Sequence, residues 1–332
     1  MTFDEFVQWK ARIRSERPAV LDLSETRVAV ALRDLRPTVE RPEVVAKVHR
    51  CDLARAWCDV RGLPAAFAMR TLTSDGVRHA LSLVLGVLAG RGARVAMPRD
   101  VYPVYWQLAR EAGATCIAID LFPTFDVERA LATASAAKID IALLPSPLKL
   151  HGRAWTAAET DAAISWLRQG HERRLILDGV YSFGAPLTAA TRRLIDTDQV
   201  LYLDSLSKGW LHERVFGAAV VPEPDLVLYA DTFRAQVPDQ ARLYAAQQLL
   251  SSRRDFPTSL PAAFERGRAH LLRVAAEHGL RLHMGPSGYL AFIEEDSRAL
   301  LDDHGLLTIP VSAFGSESAG AVVSGLPPGR ST

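Results

Sequence analysis

Lys208 stands in the run Asp204-Ser-Leu-Ser-Lys208, directly after an apolar stretch that ends on an acid. An ammonium is costly to desolvate. A lysine set against the end of a buried strand is therefore either a solvated loop residue or an amine whose pKa is depressed for nucleophilic, Schiff-base work. Ser205, Ser207 and Arg214 lie close by and offer the neutral donors and positive charge that a phosphate takes. Asp178 ends another apolar run, and Tyr181 follows it shortly. An acid in that place caps a turn or pairs with a protonated ring nitrogen. Upstream, Thr73-Ser-Asp-Gly-Val-Arg-His-Ala80 lies between a strand and a helix. Its Gly76 would open the backbone N–H groups of a helix start to an anion, a signal of low specificity. The run Pro98-Arg-Asp-Val-Tyr-Pro-Val-Tyr105 puts two tyrosines in a similar loop, where core packing explains them as readily as ligand stacking does.

The elements around these residues alternate two periodicities. Short β-rich runs at 65–69, 93–97, 115–119, 139–144, 174–178, 200–204 and 216–221 are interleaved with helical patterns at 76–89, 102–112 and 158–169. Strands and helices on this spacing predict an α/β fold with a mostly parallel, seven-stranded sheet covered on both faces. Acids at the carboxyl ends of such strands sit where these sheets place their sites. After Pro222 the texture changes: prolines punctuate helical segments, 265–278 reads as a long amphipathic helix stopped by Gly279, and 289–293 and 322–324 read as strands. The division expected is an N-terminal segment over 1–45, a large domain over 46–222 and a smaller α+β domain over 223–332.

The chain has 332 residues, 48% hydrophobic and 23% charged, enough to bury a generous core without staples. A net charge of +1 with no basic block argues against nucleic acid. Cys51, Cys58 and Cys116 have neither metal-ligand spacing nor a pairing pattern, which fits reduced thiols. The charged N-terminus and the short apolar runs predict a cytoplasmic protein without membrane spans.

Taken in order, these pieces resemble the fold-type I pyridoxal-phosphate (PLP) enzymes, and among them the class I/II aminotransferases of the histidinol-phosphate-aminotransferase-like branch. The resemblance runs over about 21–326. It is most specific in the combination of Asp178-x-x-Tyr181, Ser205-x-Ser-Lys208 and Arg214-x-x-Gly217. It implies pyridoxal 5′-phosphate held as a Schiff base on Lys208, with the large domain as the cofactor domain. By the same resemblance Asp178 holds the pyridine nitrogen protonated and Tyr181 hydrogen-bonds the phenolic oxygen. Ser205 and Arg214 bind the phosphate, Asp75, Gly76 and Val77 complete its cup, and Tyr102 stacks on the ring. The substrate would be a small amine or amino acid, and the assembly a homodimer with its site at the two-fold interface.

Three departures bear on the reaction. Where the family has Asn-Pro-x-Asn-Pro-Thr-Gly, this chain has Ser146-Pro-Leu-Lys-Leu-His-Gly152, which puts Lys149 at the second Asn, a contact of the cofactor's phenolic oxygen. The spacing from Lys208 to Arg214 is shorter than the branch's. The last strand, in the stretch Ala319-Gly-Ala-Val-Val-Ser-Gly-Leu326, lacks the Arg that grips a substrate carboxylate, and Arg330 lies beyond it. Such an Arg supplies orientation as well as affinity. The leading expectation is amino-group transfer between an amine or amino acid and a carbonyl compound. The alternatives are a PLP-dependent decarboxylase, lyase or oxidase, or a non-catalytic protein on the same fold.

Overall fold

The computed structural model of the chain describes residues 1–40, 47–99, 103–120, 126–237 and 239–328. A seven-stranded sheet lies at its centre, built from β1 (Thr71–Ser74), β2 (Arg94–Pro98), β3 (Thr115–Ile119), β4 (Ile141–Pro145), β5 (Arg174–Asp178), β6 (Val200–Ser205) and β7 (Gly217–Val220). The strands lie in the order β1-β7-β6-β5-β4-β2-β3. The apolar cores of β4, β5 and β6 are buried throughout, as strands covered on both faces must be. β7 alone runs against its neighbours, pairing antiparallel with β1 and β6, so β1 points the same way as β6. The carboxyl ends of β1, β2, β4, β5 and β6 therefore share one edge of the sheet.

The edge strand falls later than the sequence suggests. Residues Ala65–Arg70, expected to extend, form a 3-10 segment after Pro64. Alanine-rich sequence has little β propensity, and Thr71 closes the segment by donating its hydroxyl to Phe67 O at 2.8 Å. Thr71–Ser74 then takes the place beside β7. A helix at Val127–Ala136, which the periodicity reading leaves out, starts where the Asp126 side chain accepts the Arg129 N–H.

A smaller antiparallel sheet is formed by β8 (Leu290–Ile293), β9 (Ile309–Pro310) and β10 (Ala321–Ser324), with β10 in the middle. The helix Leu260–His278 packs on it and ends at Gly279, whose φ of +68° suits a residue without a Cβ. The N-terminal helix Phe3–Glu16 joins the same core through Phe6, and Leu21–Asp22 pairs in parallel with Leu306–Leu307. The large core does not stop at Pro222. Tyr229, Phe233, Leu243 and Leu249, on the helices Leu226–Arg234 and Gln240–Ser251, are buried in it. Among the described residues no helix is long and apolar enough to cross a membrane.

Candidate active site

At the shared edge of the large sheet the strand-end loops surround a cavity of about 310 Å³. Lys208 reaches it from β6. Ser205 ends that strand and caps the single turn Leu206–Gly209, accepting the Ser207 N–H, while Asp204 Oδ1 takes the Ser205 N–H at 2.7 Å. Lys208 Nζ thereby stands 5.9 Å from the centroid of the Tyr181 ring. The two loops touch backbone to backbone: a Cβ on Gly209 would lie 2.8 Å from Gly184 N and Phe183 O. Glycine at 209 is what lets the lysine turn close on the tyrosine loop.

Asp178 ends β5 and is 5% exposed. Its Oδ2 accepts the Tyr105 hydroxyl at 2.5 Å and its Oδ1 the Val180 N–H at 3.0 Å. Across the cavity, β1 leads into the helix Val77–Gly90 through Gly76 at φ +149°, a helix start with no side-chain cap. Gly217 lies so close that a Cβ on it would meet Gly76 C at 2.5 Å. The uncapped helix start lines the cavity, as a backbone anion site would require. Ser207 and Arg214 line the same cavity.

Burial pushes the Lys208 amine below its ordinary pKa, and the Arg78 charge adds to this, against the pull of Glu213 and Asp178. A depressed pKa gives a lysine the free-amine form that attacks carbonyls. Burial raises Asp178, opposed by the bonds from Tyr105 and Val180 and by the Lys208 charge. Lys149 is 7% exposed, with Nζ 5.3 Å from the Tyr181 ring centroid and 5.8 Å from that of Phe314. Burial, and then the charge of Lys208, lower it to about 7, with Glu25 opposing.

Seven residues singled out in the sequence, Asp75, Gly76, Val77, Asp178, Tyr181, Lys208 and Arg214, line this one cavity. Ser205 Oγ lies 2.7 Å from the Oγ of Ser207, which lines the cavity. Lys149 lines a neighbouring cavity of about 300 Å³ that shares the Tyr181 wall. Tyr102, like Arg330, lies outside the described residues. Two partners were not foreseen: Tyr105, present in the aromatic loop but given no partner, and Arg242, whose Nη1 meets Asp75 Oδ2 at 3.0 Å from a helix distant in sequence. Nothing local marks either one: β2, which precedes Tyr105, is separated from β5 by β4.

Comparison with known proteins agrees with this arrangement. The family described as aminotransferase class I and II matches residues 48–325. No curated protein matches the chain significantly. Among solved structures, a double mutant of Thermus thermophilus aspartate aminotransferase is 15% identical with a TM-score of 0.78, covering 99% of this chain and 93% of that one. YbdL from Escherichia coli, titled as identifying a methionine aminotransferase function, is 17% identical at TM-score 0.73, covering 98% and 93%. An aminotransferase from Mycobacterium tuberculosis is 19% identical at 0.76, covering 98% and 92%. At such identities the structures speak for the fold, whereas the family match spans most of the sequence. The chain belongs to the class I and II aminotransferases and is a PLP-dependent enzyme of that family.

Proposed function

We propose that the cavity at the sheet edge holds pyridoxal 5′-phosphate on Lys208 and that the enzyme moves an amino group between an amine or amino acid and a carbonyl compound. The observation that carries this reading is the convergence of Lys208, Asp178 and Tyr181 on one cavity with the glycine-opened helix start. The donor set fits the cofactor: an amine for its aldehyde, a buried carboxylate for its ring nitrogen, a phenol for its phenolic oxygen, and N–H groups of 76–77 with Ser207 and Arg214 for its phosphate. Ser205, whose Oγ is hydrogen-bonded with that of Ser207, is proposed as a phosphate ligand beside it. The cofactor supplies an electron-withdrawing ring that stabilises negative charge at the substrate carbon. Lys208 Nζ would hold the cofactor's aldehyde carbon and would serve as the base that moves the proton at the substrate carbon. Asp178 keeps its charge for the ring nitrogen through Tyr105 and Val180. Tyr102 is proposed as the stacking ring.

Lys149 is proposed as the cation for a carboxylate or other anion of the substrate, because the last strand, β10, carries no arginine. A point charge orients less firmly than a guanidinium fork. That looser hold favours a PLP decarboxylase or lyase as second reading. The proposed setting is a cytoplasmic homodimer. Borohydride reduction of the yellow holoenzyme followed by peptide mass spectrometry tests the assignment: the adduct is expected on Lys208, and an adduct on any other lysine overturns it. Conversion of the chromophore by amino donors without release of carbon dioxide supports transfer over the second reading.

A further inference from the structure

Arg61 closes the helix Arg50–Val60 and turns its guanidinium inward, where the side chain is 0% exposed. A buried guanidinium is tolerated only when its donors are met. Here Nη1 and Nη2 are hydrogen-bonded and Nε is held by an ion pair alone, from the loop after β5 and from strand β6. Toward the loop after β5, Nη1 donates to Ala185 O, Nη2 donates to Ser182 Oγ at 2.6 Å, and the backbone oxygen of Arg61 accepts the Leu187 N–H at 3.0 Å. Toward β6, Nη2 donates to Tyr202 OH at 3.0 Å and Nε forms an ion pair with Asp204 Oδ2 at 3.0 Å.

Three of these contacts, at Ser182, Tyr202 and Asp204, continue to residues of the cofactor site. Ser182 Oγ donates to Gly179 O at 2.7 Å, bracing the short turn that separates Asp178 from Tyr181. Asp204 Oδ1 accepts the Ser205 N–H, and Ser205 caps the turn that carries Lys208. Tyr202 lies under Gly179, where a Cβ would stand 2.0 Å from its hydroxyl oxygen. Burial raises the pKa of Asp204, and the Arg61 charge opposes that rise.

We propose that Arg61 is a positioning residue for the reaction: one guanidinium ties the Tyr181 turn to the Lys208 turn. The proposal rests on the cofactor assignment above. An ordinary structural ion pair would support stability and nothing else. A positioning role also sets the electrostatics and geometry at the cofactor, so its loss moves quantities that stability does not.

Removing the guanidinium outright would strand Asp204 and endanger folding, so three milder variants carry the test. Arg61→Lys keeps the charge without the fork, Asp204→Asn keeps the shape without the charge, and Ser182→Ala removes the Ser182 bonds to Arg61 and to Gly179 while the Ala185 and Leu187 contacts remain. On each purified holoenzyme one measures the pH midpoint of the cofactor's visible absorbance, the cofactor Kd, kcat and KM separately, and Tm. Ser182→Ala and Arg61→Lys are expected to lower kcat about tenfold with KM nearly unchanged, as a small misplacement of reacting groups does. Asp204→Asn, which leaves the Arg61 charge uncompensated, is expected to shift the absorbance midpoint downward by about half a pH unit or more. Variants whose Tm falls while midpoint, Kd and kcat stay at wild-type values would overturn the proposal. Borohydride labelling of the wild-type enzyme separates the two failures: a label away from Lys208 refutes the cofactor assignment and removes this proposal with it, whereas a label on Lys208 beside unmoved variants refutes the positioning role alone.

Discussion

A carboxylate that must stay ionised in an apolar setting needs donors, and Asp178 has the Tyr105 hydroxyl and the Val180 N–H. Burial has already raised its pKa. Tyr105→Phe removes one of the two opposing bonds, so the pKa climbs further and the neutral acid persists to higher pH. Loss of a hydrogen bond to a charged group costs about 1.5–3 kcal/mol. Cofactor affinity should therefore fall by about tenfold or more, and the deficit should widen as pH drops, measured by fluorescence titration at several pH values. A deficit independent of pH would place the effect of Tyr105 elsewhere. Lys149 makes the converse case. Its folded pKa is about 7, below the roughly 10.4 of a free lysine, because burial and Lys208 disfavour the charged form. Below the folded value the amine is charged in both states and the burial penalty is complete; between the two values only the unfolded chain is charged, so stability rises with pH. Lys149→Met should thus stabilise the apoprotein at mildly acid pH by several kcal/mol, with the gain vanishing near about pH 10, as urea denaturation across pH would show. The same variant should lower kcat/KM by roughly 2–4 kcal/mol for anionic substrates through a higher KM. Equal losses for uncharged amines would retire the anion-binding role.

At the scale of elements, the site depends on loops that approach more closely than side chains allow. Gly209→Ala would set a Cβ 2.8 Å from the backbone of Phe183 and Gly184, and neither neighbour is a flexible side-chain tip. The loops must part, at a cost of about 1–3 kcal/mol as in other overpacked sites. The expected outcome is a lower Tm together with weaker cofactor binding; a Tm loss with unchanged cofactor Kd would mean that the contact serves the fold alone. This closeness was not legible in the sequence, although the elements that produce it were. β5 was read at its observed bounds because a continuous apolar run ending in an acid can hardly be another element. Lys208 and Asp178 were legible for the same reason, as charges attached to buried strands. Tyr105, Arg242 and Arg61 were not, because each acts through a partner on a remote segment. The edge strand was misplaced because β1 is short and polar, Thr-Leu-Thr-Ser, and gains its pairing from β7 rather than from its own propensity. The helices after Pro222 looked like part of the smaller unit because prolines mark breaks in chain direction, whereas core membership is decided by which face is covered.

At the scale of the whole molecule, the cofactor cavity shares Glu213 and Arg242 with a broader groove of about 970 Å³. Residues of the N-terminal stretch 29–40, the loop 211–215 and the helix Gln240–Ser251 line this groove. His212 Nε2 lies 2.8 Å from Pro37 O, which fastens the stretch to the loop just beyond Lys208. The proposed homodimer, with its isologous interface, is expected to pair across this groove. Light scattering of the holoenzyme is expected to give twice the 36.3 kDa of the chain. Ala245→Arg puts a bulky cation on the groove side of the helix Gln240–Ser251, outside the cofactor cavity. It should weaken association and, on the proposal that the partner completes the site, lower cofactor affinity in step, so that both recover together as protein concentration is raised. A monomer that binds the cofactor and turns over as well as the wild type would show that each chain closes its own site, and the groove would then have no part in assembly.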